Sequence, residues 1–318
     1  MSRNKSIDVL KGIACLLVIM HHILWPHPLE YLYYIYNIAV PIFFMISGYL
    51  YFKDGETEEA FRQKQKRRFA EMAKLLVITE IGMFLFTALW YYWVSKERLH
   101  YWLLDFLDIS NVLKGLTYSN VHFVRHIWYL YALAGCYGLA ILFIKKPSSK
   151  NMARNMLIFA GVFLLIRQTM GYFLPLLGIN AFADYSGIYY LQGIPFLLFG
   201  GSVKKLKENI LQNTSVVLWI ALSLIGFLLS VIEYRTVCVG FNLPVGTALF
   251  AISVFMLFSV FDAGNSFPLR EILAYIGKEL SLYIYIVHYP VIMVLTVLFE
   301  DAPDVLAPKK SNYLRRAD

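Results

Sequence analysis

Ser215-Val-Val-Leu-Trp-Ile-Ala-Leu-Ser-Leu-Ile-Gly-Phe-Leu-Leu-Ser-Val-Ile232 runs without a single charged side chain. A stretch this long and this apolar reads as an α-helix crossing a bilayer. In hydrocarbon every main-chain N–H and C=O must be paired within the segment, and a helix does this alone. Eight further stretches read the same way: Ile7–Trp25, Tyr31–Phe52, Phe69–Tyr92, Ile127–Ile144, Asn155–Pro175, Gly187–Val203, Leu243–Phe261 and Leu280–Phe299. The expected fold is therefore an all-α, polytopic transmembrane helical bundle of nine to ten spans. Tyr101–Leu116 is apolar but holds Asp105, Asp108 and Lys114, so an interfacial or re-entrant position is expected for it.

Composition agrees with bilayer as the solvent. Of 318 residues, 59% are hydrophobic and 16% charged, against about 25% charged in soluble domains. Mean hydropathy is +0.58. The net charge of +8 does not indicate nucleic acid, because its cations sit in short clusters between apolar runs rather than on one solvated face. Cys15, Cys136 and Cys238 show neither disulfide nor metal-ligand spacing. The basic start and apolar run of Met1–Trp25 resemble a signal peptide, but Asp8, Lys11, His21 and His22 interrupt it and no cleavage pattern follows, so it is read as a retained first helix.

Orientation follows from Lys and Arg, which favour the cytoplasmic side. With the N-terminus in the cytoplasm, the inner segments hold Arg3 and Lys5; Lys53, Arg62, Lys64, Lys66, Arg67, Arg68 and Lys74; Lys145, Lys146, Lys150 and Arg154; Lys204, Lys205 and Lys207; and Arg270 and Lys278. The outer loops hold only Lys96, Arg98, Lys114, Arg125 and Arg235. Residues 1–300 form one membrane domain in this reading, and 301–318 a basic C-terminal tail. Lys309, Lys310, Arg315 and Arg316 make that tail cytoplasmic in character, which nine spans do not deliver; a tenth span is expected to be uncounted or missing before it.

The ionisable residues inside apolar runs are the candidates for chemistry, since they are costly there. Lys11 and His22 are eleven positions apart, which at about 100° per residue puts them within roughly 20° of one helix face and about 16 Å apart along it. Asp8 lies one turn below Lys11, and His21 points about 80° away. Histidine is the side chain whose ordinary titration lies near neutral pH, so His22 can act as general base or as a transient acyl carrier. In the last span Ser281, Tyr285 and His288 share a face by their spacing, with His288 placed near mid-membrane. Pro41, Ser47 and Gly48 read as packing features of the second span. Trp128 and Tyr129 read as interfacial anchors, with Arg125 and His126 toward the outer side. Arg62-Gln-Lys-Gln-Lys-Arg-Arg68 reads as a dense cytoplasmic loop that meets anionic lipid or grips a phosphate-bearing cosubstrate.

Four segments in order resemble acyltransferase family 3, the membrane O-acyltransferases. They are Asp8-Val-Leu-Lys-Gly12 with His22; Ala39–Leu50, ending Phe-Phe-Met-Ile-Ser-Gly-Tyr-Leu; Trp128-Tyr-Leu; and Gly277-Lys-Glu-Leu-Ser-Leu-Tyr-Ile-Tyr-Ile-Val-His-Tyr-Pro290. Members usually carry Arg where this chain has Lys11, a change that keeps the charge and loses the bidentate fork. The Ala39–Leu50 and Arg125–Leu133 segments also resemble the membrane domain of vancomycin-resistance serine racemases.

The resemblance implies transfer of an acyl group, acetyl in the first instance, from acyl-CoA to a hydroxyl of an envelope carbohydrate or related acceptor at the outer face. It implies a multi-pass protein of the cell membrane, with no metal. His22 is then the expected base or carrier. Lys11, Arg67, Arg68 and Ser47 are expected on the donor, Arg125 and Trp128 on the acceptor side, and His288 as a further catalytic candidate. The competing expectations are a small-molecule transporter, an amino-acid uptake or binding module, and an inactive truncated paralogue.

Overall fold

The computed structural model describes residues 4–23, 33–52, 57–94, 96–109, 125–144, 150–182, 188–236 and 243–298. Cys238, Lys114 and the rest of segment 110–116, and the basic tail 301–318 lie outside the described residues, as does the side chain of Arg125. Among the described residues every element is helical, as the all-α expectation requires.

Among the described residues five helical runs are long and apolar enough to cross a membrane: Tyr34–Tyr51, Glu58–Trp93, Asn151–Leu176, Val216–Thr236 and Arg270–Thr296. The other four expected spans fall on different material. Lys5–His21, Trp128–Phe143 and Val245–Ser259 have 17, 16 and 15 residues, which at 1.5 Å per residue rise about 22–26 Å against a hydrocarbon core of about 30 Å. Tyr189–Asn213 has 25 residues, but its C-terminal half carries Lys204, Lys205, Lys207 and Glu208. Lys96–Leu107 has 12 residues, too few to span.

The chain divides into two compact units, 1–46 with 208–318, and 47–207. In the first, the Lys5–His21 helix is the axis. Asn4 caps it: its Oδ1 accepts from Ser6 N (2.9 Å) and Ile7 N (3.4 Å), while its Nδ2 donates to Asp262 Oδ1 (2.9 Å). Ser6 Oγ accepts from Gly264 N at 2.8 Å, so the helix start is tied to the turn before the last helices. The same helix packs against Arg270–Tyr275, the π-turn Ile276–Leu280 and Ser281–Leu298. Contact there is main chain on main chain: a Cβ at Gly277 would stand 1.9 Å from Asp8 O, and one at Gly12 would stand 2.1 Å from Leu273 O. Small residues permit this approach in membrane helices. Val216–Thr236 and Val245–Ser259 form a hairpin on the same principle. A Cβ at Gly246 would meet Ser230 N at 2.2 Å, Ser230 and Thr247 hydroxyls bond at 2.7 Å, and Glu233 Oε2 accepts from Gly246 N at 2.7 Å.

In the second unit, Glu58–Val94 is one unbroken helix, so the expected basic loop Arg62–Arg68 is a correction: those residues are helical. Gln, Lys, Arg and Ala are good helix formers whatever their charge. Thr57 Oγ1 accepts from Ala60 N (3.2 Å) with Glu58 and Glu59 in the first turn, a normal N-terminal cap. Val77, Ile78, Ile81, Leu85 and Leu89 are exposed along one side of it, the pattern of a lipid-facing stripe. Its other side packs on Trp128–Phe143, where Gln65 Nε2 donates to Ala140 O (3.1 Å) and Ile144 O (3.2 Å) and closes that helix's last carbonyls. Pro41 lies in the first turn of Ala39–Tyr51, where a missing N–H costs nothing. Pro175 likewise explains the π-turn Thr169–Phe173, whose end is closed by Leu174 N on Thr169 O.

Replacing Gly277 or Gly12 by Ala is expected to cost roughly 1–3 kcal/mol, because the backbones must part. Gly82→Ala, where a Cβ meets nothing within 4 Å, is the neutral reference. Thermal unfolding in detergent reads the difference; equal melting of Gly277→Ala and Gly82→Ala would contradict the close seam.

Candidate active site

The first unit brings His22 and His288 together. His22 caps the C-terminus of the first helix with near-helical angles (φ −98°, ψ −2°), its N–H donating to Ile19 O at 3.0 Å. It therefore stays close to the face shared with Lys11. Its ring lies 4.9 Å from that of His288 and 5.7 Å from that of Tyr289. His21, on the other side, stands 5.2 Å from His22 and 5.3 Å from Tyr36. The spacing of Ser281, Tyr285 and His288 does turn all three inward: they are buried, while Leu282, Tyr283, Val287 and Val291 are exposed.

His288 has a defined tautomer. Its Nδ1 lies 2.8 Å from Tyr285 O and 3.2 Å from Ile284 O. Carbonyls only accept, so Nδ1 of the neutral ring carries the hydrogen and Nε2 keeps the lone pair. The first helix supplies the remaining groups. Lys11 is half-buried and Asp8 buried, and Cys15 Sγ donates to Ser281 O at 3.5 Å. A cluster of two imidazoles, phenol rings and an ammonium further along one helix can move a proton and attract an anion.

Other sequence candidates belong to the second unit. Ser47 Oγ and Tyr129 OH bond at 3.0 Å, a helix-to-helix contact. Arg67 and Arg68 are exposed on the Glu58–Val94 helix, Arg67 paired with Glu71 at 3.6 Å. Trp128 is half-buried and His126 buried, so His126 does not present an open outer face. Arg125 opens the turn Arg125–Ile127 by its main chain.

Three charged residues inside apolar segments escaped the reading of the sequence. Glu80 accepts from Tyr131 OH; Arg167 is fully buried beside buried Gln168, immediately before the π-turn; Glu233 is buried on Gly246 N. The signal available for each was the charge itself within a membrane span. Among the described residues no group of His, Cys, Asp and Glu is arranged to hold a metal.

The family model described as "Acyltransferase domain" (Acyl_transf_3) matches residues 4–308. A curated protein, the serine/alanine racemase of Enterococcus gallinarum, is 26% identical over 333 residues, which cover 98% of this chain and 44% of the racemase. The chain thus spans under half the length of that relative. No solved structure gives a significant match.

Because the two imidazoles touch, their removal should not be additive. His22→Ala, His288→Ala and the double variant are expected to show a coupling of about 0.5–3 kcal/mol in unfolding. Additivity within about 0.3 kcal/mol would place the rings apart.

Proposed function

The chain belongs to acyltransferase family 3, and on that premise we propose that it transfers an acyl group, acetyl in the first instance, from acyl-CoA to a hydroxyl of an envelope carbohydrate or related acceptor in the plasma membrane. The observation that carries this reading is the His22–His288 ring contact, 4.9 Å between centroids, at the end of a helix that also bears Lys11.

His22 acts as general base in this reading. It takes the proton of the acceptor hydroxyl as the oxygen attacks the thioester carbonyl. The new C–O bond forms, the C–S bond breaks, and the proton passes from His22 to the departing thiolate. His288 is a positioning residue: its Nδ1–H is committed to main-chain carbonyls, so its lone-pair nitrogen is the side that can orient the His22 ring. Lys11 is the donor-binding candidate of the first unit and draws the anionic donor. Arg67 and Arg68, with Ser47, are the donor candidates of the second unit; Arg125 and Trp128 are its acceptor-side candidates.

A second reading, a membrane module that binds or takes up an amino acid, is favoured by one observation: the matching relative is named a serine/alanine racemase. The two readings differ in donor consumption, since a binding module leaves acyl-CoA intact.

Purified protein in detergent is expected to consume acetyl-CoA. His22→Ala should lower kcat by roughly a hundredfold or more, the range of general-base catalysis. Lys11→Ala should raise the donor KM by about tenfold, the loss of one charged interaction of about 1.5 kcal/mol. Donor left intact by the wild type, with amino acid bound, would transfer the argument to the second reading.

A further inference from the structure

A group of neutral side chains in the first unit has no part in the chemistry above. Tyr34 and Tyr234 face each other with ring centroids 5.5 Å apart and planes at 41°. Asn37 Nδ2 donates to Tyr234 OH at 2.9 Å. Tyr34 comes from the single turn Tyr33–Tyr36, Asn37 from the break before Ala39–Tyr51, and Tyr234 from the last turn of Val216–Thr236. All three are half-buried. Among the described residues that one bond is all that engages Asn37, so its Oδ1 and second N–H remain for a ligand.

The group is held still and is connected to the histidines. Glu233, next to Tyr234, is buried with its carboxylate on Gly246 N, which fixes the end of the Val216–Thr236 helix. Tyr36, in the same turn as Tyr34, meets His21 edge to face; His21 touches His22, and His22 touches His288. Phenol faces, a phenol hydroxyl and a carboxamide are what recognise a neutral polyhydroxylated ring. The C–H face of a pyranose lies on an aromatic face, while its hydroxyls exchange hydrogen bonds with amide and phenol. An anionic ligand would call for a cation among these three groups.

We propose that Tyr34, Asn37 and Tyr234 form a subsite for a neutral sugar ring of the acceptor and so determine acceptor specificity. As a step in transfer this rests on the acyltransferase reading; as a binding site it does not.

The test separates the two. Saturation-transfer NMR on the full chain in detergent, with an N-acetylglucosamine disaccharide and with glycerol as probes, measures binding without turnover. The wild type is expected to bind the disaccharide and not glycerol, which has hydroxyls but no ring face. Tyr34→Ala and Asn37→Ala are each expected to weaken disaccharide binding about tenfold, and Tyr234→Phe, which keeps the ring, by less. Tyr92→Ala, on the exposed side of the Glu58–Val94 helix, should bind as wild type. Thermal unfolding of Tyr34→Ala in detergent that matches the wild type shows that the variant is folded. No disaccharide binding by the wild type, or equal binding by all variants, overturns the subsite. Disaccharide binding lost in the variants, with no donor consumed by the wild type, supports the subsite and removes the acyltransferase reading alone.

Discussion

The contact on which the first unit depends is the glycine seam between the Lys5–His21 helix and the π-turn Ile276–Leu280. Gly277 brings its main chain against Asp8 O, and Gly12 brings its own against Leu273 O. From that crossing both helices run the same way. His22 lies ten residues beyond Gly12, and His288 eleven beyond Gly277, about 15 and 16 Å of helix rise. Two nearly equal rises from one point bring the two imidazoles level, which is why they touch. A side chain at either glycine would part the helices and put the rings out of register.

The bilayer explains the rest of the arrangement. Apolar side chains are exposed in stripes along Glu58–Val94, Lys150–Gln168 and Val216–Thr236, where lipid rather than water receives them. Hydrophobic gain on association is small in such a solvent, so helices are held by close packing and by polar bonds: Ser230 to Thr247, Ser47 to Tyr129, Glu233 to Gly246 N, Tyr131 to Glu80. Ionisable groups persist in that setting only when engaged. The histidine cluster differs from these structural bonds in grouping imidazoles and phenols rather than tying one helix to the next.

Much of this was legible in residues. The apolar runs announced helices, and the costly His22 and His288 each stood out as candidates for chemistry. The i, i+4, i+7 spacing of Ser281, Tyr285 and His288 gave the inward face. The contact between His22 and His288 was not legible, because it is tertiary and set by two glycines that in sequence look like any others. Arg62–Arg68 was misread as a loop because charge suggests solvent, whereas helix propensity and the Thr57 cap carry the helix through it. Lys5–His21 and Val245–Ser259 stop a few residues before the ends of the expected spans, because hydropathy does not mark where caps and turns stop a helix. Glu80, Arg167 and Glu233 were hidden by the hydrophobicity of the segments around them.

The central claim is that the thioester of the donor sits at the imidazole pair. Photocrosslinking tests it most directly, with an acyl-CoA that carries a diazirine on its acyl chain and mass spectrometry to map the adducts. Labelling is expected at His22, His288 and Tyr289 and at the adjoining end of the first helix, and competition by acetyl-CoA should remove it. Labels that avoid these residues, or that survive competition, would contradict the claim.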